Sequence, residues 1–340
     1  MKIGRQTVVV VTGASGGVGR ATVRKLGVRG ASVALLARGR EGLEGAKHDV
    51  EQAGGKALVL PTDVSKADEV EAAAQATERE LGPIDLWVNN AMVSMYSPFM
   101  KMTPEEFRHI VDVTFLGNVH GTHSALQRMI PRNSGVIIQV GSALAFRSIP
   151  LQSAYCASKH AIQGFTESIR SELIHQGSDV RVSVVNMPAL NTTQFVWTKN
   201  KMPRKARPTG TIFQPEVAAE AILFTAEHKR REVMVGYTTS EATLGEKIIP
   251  GLLDKYLATA AWEGSLLPEK NDGSQPDNFW EPVNRDLGSH GPFDRKSLQF
   301  SPQLWATENR GWLSGLLLAG IGLSALMLTH NHHHESRVMS

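Results

Sequence analysis

The sequence predicts an α/β protein built on a doubly wound parallel sheet, and three observations carry that expectation. Short, almost wholly apolar runs recur through the first two-thirds of the chain. Stretches with helical spacing lie between them, and a glycine-rich turn follows the first run. Strand–helix alternation of this kind buries each strand on both faces, so the strands read as continuous rather than alternating apolar runs. The expected architecture is a single Rossmann-like domain with an irregular C-terminal extension and a candidate C-terminal transmembrane helix.

The first strand is the valine-rich run Thr7 to Val11, too short to be the apolar core of a secretory signal. Further strands are read at Ser32–Ala37, Ala57–Leu60, Leu86–Val88, Val136–Val140 and Arg181–Val185. The clearest helix follows Ser65, taken as its N-cap, with Asp68 in the first turn; it runs to Leu81 and stops at Gly82-Pro83. A helix over Pro215–His228 and a strand over Glu232–Gly236 close the unit near residue 240, giving one α/β domain over 1–240.

One more amphipathic helix is expected over Ile248–Trp262. From Gly264 to Gly311 five glycines and five prolines interrupt any period, so this stretch is expected to be mostly irregular. Phe279, Trp280, Phe293, Phe300 and Trp305 are aromatic residues that a free linker seldom carries, so the extension 241–311 is expected to dock on the body. Trp312 to Thr329 is 18 residues without a charge, at the lower edge of what spans a bilayer. Either it anchors the protein, with the body on the cytoplasmic side by the distribution of Lys and Arg, or it is a packed helix. Residues 330–340 read as an exposed tail. His330 and the histidines at 332–334 lack a second ligand cluster, so no metal site is expected.

Composition narrows the function classes. The chain has 340 residues, 36 Lys+Arg against 33 Asp+Glu and a net charge of +3, too weak a bias to imply nucleic acid. The single cysteine, Cys156, excludes an intrachain disulfide framework and fits a reducing compartment such as the cytoplasm. The segment Lys199 to Arg207 holds five basic residues, read as a solvated loop or as a surface apposed to anionic lipid.

The chemistry is concentrated at two places. The turn Thr12-Gly13-Ala14-Ser15-Gly16-Gly17-Val18-Gly19 leaves a strand and opens a helix, where glycine lets a pyrophosphate approach the backbone at a positive helix end. After the second strand stand Ala37 and Arg38; an acidic side chain there selects the ribose hydroxyls of NAD, whereas arginine accommodates the 2′-phosphate of NADP. The second place is Ser142, Tyr155 and Lys159. Tyr155 and Lys159 are four apart in the helical stretch Ala154–Leu173 and share one face. A cation one turn from a phenol favours the phenolate and suits it to moving a proton to or from an alcohol oxygen.

These motifs resemble the short-chain dehydrogenase/reductase family over roughly residues 5 to 240. They are Thr12-Gly13-x-x-x-Gly17-x-Gly19, Asp63 after the third strand, Asn89-Asn90-Ala91 after the fourth, Ser142, and Tyr155-x-x-x-Lys159. The resemblance implies an NAD(P)-dependent oxidoreductase in which Tyr155 is the acid–base, Lys159 lowers its pKa and binds the nicotinamide ribose, and Ser142 orients the carbonyl. It also implies that Asp63 and Val64 line the adenine pocket, that Asn90 and Ala91 support the cofactor, and that Pro188 and Thr193 face the nicotinamide. With Ser15, Val18 and Arg38 these complete the expected cofactor set, with NADP favoured over NAD. Three positions depart from the family pattern. Met92 replaces a glycine, Pro188-Ala189 replaces Pro-Gly, and Thr114 stands where an asparagine commonly holds a water on the lysine's proton path; Asn118, one turn later, is a candidate substitute.

Met95, Phe99, Phe146, Ile149, Leu151, Leu190, Phe195 and Trp197 make the expected substrate loops apolar, which suits a hydrophobic ketone, aldehyde or alcohol; about half are expected to pack the loop bases. By resemblance, the helices around Glu105–Met129 and Ala154–Leu173 would form a homo-oligomer interface. The competing reading is a membrane-anchored, NADP-binding regulatory or scaffold protein with little turnover.

Overall fold

The computed structural model describes residues 1–312. Seven parallel strands form one sheet: β1 (Val8–Thr12), β2 (Ser32–Ala37), β3 (Lys56–Pro61), β4 (Leu86–Asn89), β5 (Val136–Ser142), β6 (Arg181–Met187) and β7 (Glu232–Met234). Their order in space is β3-β2-β1-β4-β5-β6-β7. The chain therefore builds outward from β1 to β3, then crosses back to β4 and builds the other way. That reversal opens a crevice beyond the carboxyl ends of β1 and β4, where open α/β sheets bind ligands. Register runs from Val8↔Ser32 to Thr12↔Leu36 on one side of β1, and Val9 pairs with Leu86 on the other. Every residue of β1, β4 and β5 is buried, which explains their unbroken apolar runs.

The helices are α1 (Gly17–Val28), α2 (Arg40–Gln52), α3 (Ala67–Leu81), α4 (Pro104–Val111), α5 (Gly117–Met129), α6 (Ser153–His175), α7 (Gln194–Trp197) and α8 (Pro215–Glu227). The first packs against α2 and α8; α3 packs against α5, and α4 against α6. Thr103 and Glu106 close a reciprocal capping box at the start of α4, with Pro104 in its first turn. A π-turn, Asp112–Leu116, joins α4 to α5.

Ser65 is not the cap of α3. Its N–H and hydroxyl both donate to Asp63 Oδ1, at 3.0 and 2.8 Å, and the helix begins at Ala67 with no side-chain cap. The local Asp63–Ser65 turn outcompetes the cap, because a short carboxylate reaches the backbone two residues on.

Beyond β7, α9 (Tyr237–Ile248) is a helix the sequence did not suggest, and α10 (Pro250–Gly264) is the helix expected over Ile248–Trp262. Pro250 lacks the N–H that would continue α9 and instead occupies the first turn of α10. Leu266–Lys270 then pairs antiparallel with Arg204–Ala206. The segment 271–293 has neither helix nor strand, yet Phe279 is fully buried and residues Met1–Ser301 form one compact unit. A second unit begins at Pro302 with α11 (Pro302–Glu308).

Three of the five basic residues in 199–207 are ion-paired within the protein. Lys199 and Lys201 pair with the buried Glu106 at 3.4 and 2.6 Å, and Arg204 pairs with Glu263 at 2.6 Å. Among the described residues no helix is long and apolar enough to cross a membrane. The uncharged run from Trp312 to Thr329 lies outside the described residues except for Trp312 itself, which is exposed, and the tail 330–340 lies outside them entirely.

Candidate active site

The carboxyl ends of β1, β4 and β5 open into a cleft of about 410 Å³. Its floor at one end is the turn between β1 and α1. Gly13 adopts φ +66°, and a Cβ there would stand 2.9 Å from the Ala91 Cα. At Gly19 a Cβ would come within 2.1 Å of the Gly13 carbonyl oxygen, so α1 presses on the turn only because that position is bare. No side chain caps α1, although its Gly17 N–H donates to the Gly288 carbonyl at 3.3 Å.

Thr12 and Gly19 lie behind the cleft wall. Thr12 Oγ1 accepts from the N–H of Asn90 at 2.9 Å and of Ala91 at 3.0 Å, tying β1 to the end of β4. Asn90 reciprocates, donating from Nδ2 to the carbonyls of Thr12 at 2.9 Å and Gly13 at 3.3 Å. Both residues shape the turn. The other expected cofactor residues line the cleft together: Gly13, Ser15, Gly17 and Val18 of the turn, Arg38, Asp63, Val64, Asn90 and Ala91 at the strand ends, and Pro188 and Thr193 beyond β6.

Arg38 has a second engagement that the sequence did not suggest. Its guanidinium donates to the carbonyls of Trp280 at 2.7 Å and Phe279 at 3.4 Å, and to that of Asn278. Asn278, Pro282, Val283 and Arg285 line the same cleft. The aromatic content of the extension pointed to docking, but no local pattern indicated where. Arg147, which pairs with Glu246 and Asp254 at 2.5 and 2.6 Å, and Gln152, whose amide donates to Ser94 Oγ at 3.1 Å, were likewise missed.

At the other end Ser142, Tyr155 and Lys159 meet in the cleft. Ser142 is the last residue of β5, and its Oγ accepts from the Leu144 N–H at 3.1 Å. Tyr155 and Lys159 project from one face of α6, with Lys159 Nζ 5.5 Å from the phenol ring centre. Lys159 Nζ donates to the Val140 carbonyl at 2.7 Å. Burial pulls the Lys159 pKa down to about 7. Burial likewise pushes the Tyr155 phenol above its ordinary value, and its hydrogen bond with Ser142 only partly opposes this. Desolvation thus favours the neutral form of both groups.

Thr114 lies in the π-turn and does not face the cleft. Its Oγ1 accepts from the Val93 N–H at 3.2 Å and donates to the Val93 carbonyl at 3.0 Å. Asn118 donates to the Thr114 carbonyl at 2.8 Å and sits in a buried network with Asn89, Thr122 and Gln139. It too is absent from the cleft wall.

Of the apolar loop residues, Ile149, Leu190, Phe195 and Trp197 line the cleft, joined by Tyr96, Leu144 and Leu257. Met95 and Leu151 are core residues, Phe146 lies off the cleft wall, and Phe99 faces solvent. Among the described residues no group of His, Cys, Asp and Glu could hold a metal, and Cys156 is buried with its thiol pKa raised by burial.

A glycine cradle at a helix end, continuous with a Ser-Tyr-Lys group suited to moving a proton on an alcohol oxygen, defines an NAD(P)-dependent oxidoreductase. The short chain dehydrogenase pattern matches residues 7–204. The Bacillus subtilis (strain 168) protein named "Uncharacterized oxidoreductase YxnA" is 33% identical over 255 residues, covering 74% of this chain and 72% of its own. Human dehydrogenase/reductase SDR family member 7 is 39% identical over 170 residues, 49% of this chain and 50% of that protein. A metagenomic short-chain oxidoreductase in complex with NADP has 29% identity and a TM-score of 0.59, covering 69% of this chain and 98% of its own. An SDR structure from Burkholderia phymatum in complex with NAD shares the fold at 20% identity and a TM-score of 0.66, covering 74% of this chain and 96% of its own. The chain belongs to the short-chain dehydrogenase/reductase family.

Proposed function

We propose that the protein is an NADP-preferring oxidoreductase that interconverts a hydrophobic ketone or aldehyde and its alcohol. The observation that carries this reading is the continuity of one cleft, from a glycine cradle beside Arg38, past Ser142, Tyr155 and Lys159, to a wall of Leu144, Ile149, Leu190, Phe195, Trp197 and Leu257. The cradle fits a dinucleotide: its turn has no side chain where the backbone of Ala91 approaches, and the start of α1 beside it carries no side-chain cap.

The reading assigns Gly13, Ser15, Gly17 and Val18 to the pyrophosphate, Asp63 and Val64 to the adenine, and Ala91, Pro188 and Thr193 to the nicotinamide end. A nicotinamide held by these residues would supply the hydride for reduction of the carbonyl, or accept it in oxidation of the alcohol. Ser142 Oγ holds the substrate oxygen and Tyr155 donates a proton to it in reduction, or accepts one in oxidation. Lys159 stands one helical turn behind, where its charge would assist the phenolate, and it would hold the cofactor ribose. The apolar wall excludes water and favours substrates without charge.

The deciding experiment is a panel of hydrophobic ketones, aldehydes and secondary alcohols assayed with NADPH and NADH in parallel. The expected result is turnover on several apolar carbonyls with NADPH favoured. Absence of turnover across the panel, with NADPH still bound, would leave the protein a nucleotide-binding regulator instead.

A further inference from the structure

We propose that residues Asn278 to Gly288 form a strap over the adenosine half of the cofactor, and that Arg285 on this strap binds the 2′-phosphate of NADP. This rests on the NADP preference proposed above. The segment crosses the mouth of the cleft between fixed points. At one end the Phe279 side chain is fully buried, and its carbonyl lies 2.6 Å from His109 Nε2. At the other, Asp286 pairs with Arg20, and the Gly17 N–H donates to the Gly288 carbonyl at 3.3 Å. In between, Pro282 packs on Gly39, where an added Cβ would meet it at 3.3 Å.

Arg38 is the residue at the phosphate position expected from β2, but both terminal nitrogens of its guanidinium already serve strap carbonyls. Its charge is further offset by the neighbouring carboxylates of Asp63 and Glu281. A phosphate dianion arriving there meets a cation largely committed elsewhere. Arg285 lines the same cleft as Ser15, Arg38, Gly39 and Gly42, is exposed, and forms no ion pair with any described residue. The adjacent carboxylate of Asp286 is held by Arg20 instead. Arg285 thus has a planar set of donors available to a phosphate on the ribose edge, while Arg38 acts chiefly as the positioning residue that fixes the strap.

Calorimetry of the full chain with adenosine 2′,5′-bisphosphate and with 5′-AMP isolates the 2′-phosphate without requiring turnover. The wild type is expected to bind the bisphosphate about tenfold tighter, the size of one charge-assisted contact. Arg285→Gln should erase that preference while leaving 5′-AMP affinity within about twofold, whereas Arg38→Gln should weaken both ligands by loosening the strap. If Arg285→Gln keeps the preference, or weakens both ligands alike, the assignment of Arg285 is overturned while the NADP preference stands. If the wild type does not distinguish the two ligands, the NADP preference itself falls and the assignment falls with it.

Discussion

Arg20, in the first turn of α1, and Asp286, 266 residues later, are joined by two hydrogen bonds, Nη1–Oδ1 at 2.9 Å and Nη2–Oδ2 at 3.3 Å. The same guanidinium donates from Nε to Asp49 at 2.8 Å and from Nη1 to the Gly42 carbonyl at 3.2 Å. Arg20 is almost fully buried, so one side chain clamps α1, α2 and the C-terminal extension together.

Asp286→Ala should therefore loosen the extension without unfolding the body, because Arg20 keeps Asp49. Asp286 is itself partly exposed, which limits the expected loss to about 1 kcal/mol. Limited proteolysis should show faster cleavage between 271 and 293, together with weaker nucleotide binding. Unchanged cleavage would mean that Phe279 and Arg38 hold the segment unaided.

Tyr155→Phe removes the proton carrier and keeps the ring that packs against the core. Turnover should fall by about 10²- to 10⁴-fold, the usual contribution of a general acid–base. Nucleotide affinity, read by fluorescence titration, should stay within about twofold. Retained turnover would move the proton donor to another group in the cleft.

Lys159→Met should stabilise the cofactor-free protein while abolishing activity. The Lys159 pKa is about 7 when folded, against an unfolded value near 10.4. Between those values the unfolded chain binds more protons, so stability associated with this group rises with pH and its full cost is present below pH 7. The variant should be more stable by about 2 kcal/mol at pH 7 after losing the bond to Val140, with the difference shrinking toward pH 10. Thermal melts at the two pH values test the sign; a variant less stable at pH 7 contradicts it.

The direction of the Tyr155 shift sets the pH dependence of the reaction. Burial raises this phenol above its ordinary value, so the proton needed for carbonyl reduction remains in place through neutral and moderately alkaline pH. Alcohol oxidation needs the phenolate, and its kcat/KM should climb with pH over the same range. Steady-state profiles in both directions check this, and an oxidation rate flat above pH 7 would place the titrating group elsewhere.

What was legible in the sequence was local. Fully buried parallel strands appear as unbroken apolar runs, and a four-residue spacing on one helix brings Tyr155 and Lys159 to one face. Element ends were less legible where two local interactions compete, as when Asp63 captures Ser65 and Lys66 is left at the start of α3. Thr12 and Gly19 illustrate a different limit. A motif marks positions that a turn needs, without distinguishing those that face the ligand from those that shape the turn. The strap was illegible as a strap, because its attachments to Arg20, Arg38 and His109 are spread over the first third of the chain.

The Arg38 and Arg20 attachments also impose an order in time. The glycine turn and the Ser-Tyr-Lys group are complete once the first 240 residues are made, but the wall on the adenosine side is supplied by residues 278–288. Domains fold as units during synthesis, N-terminal parts first. A nascent chain halted between these points lacks both that wall and the Phe279 side chain of the core, because Met1–Ser301 forms one compact unit. Nucleotide retention therefore reports whether translation passed residue 288.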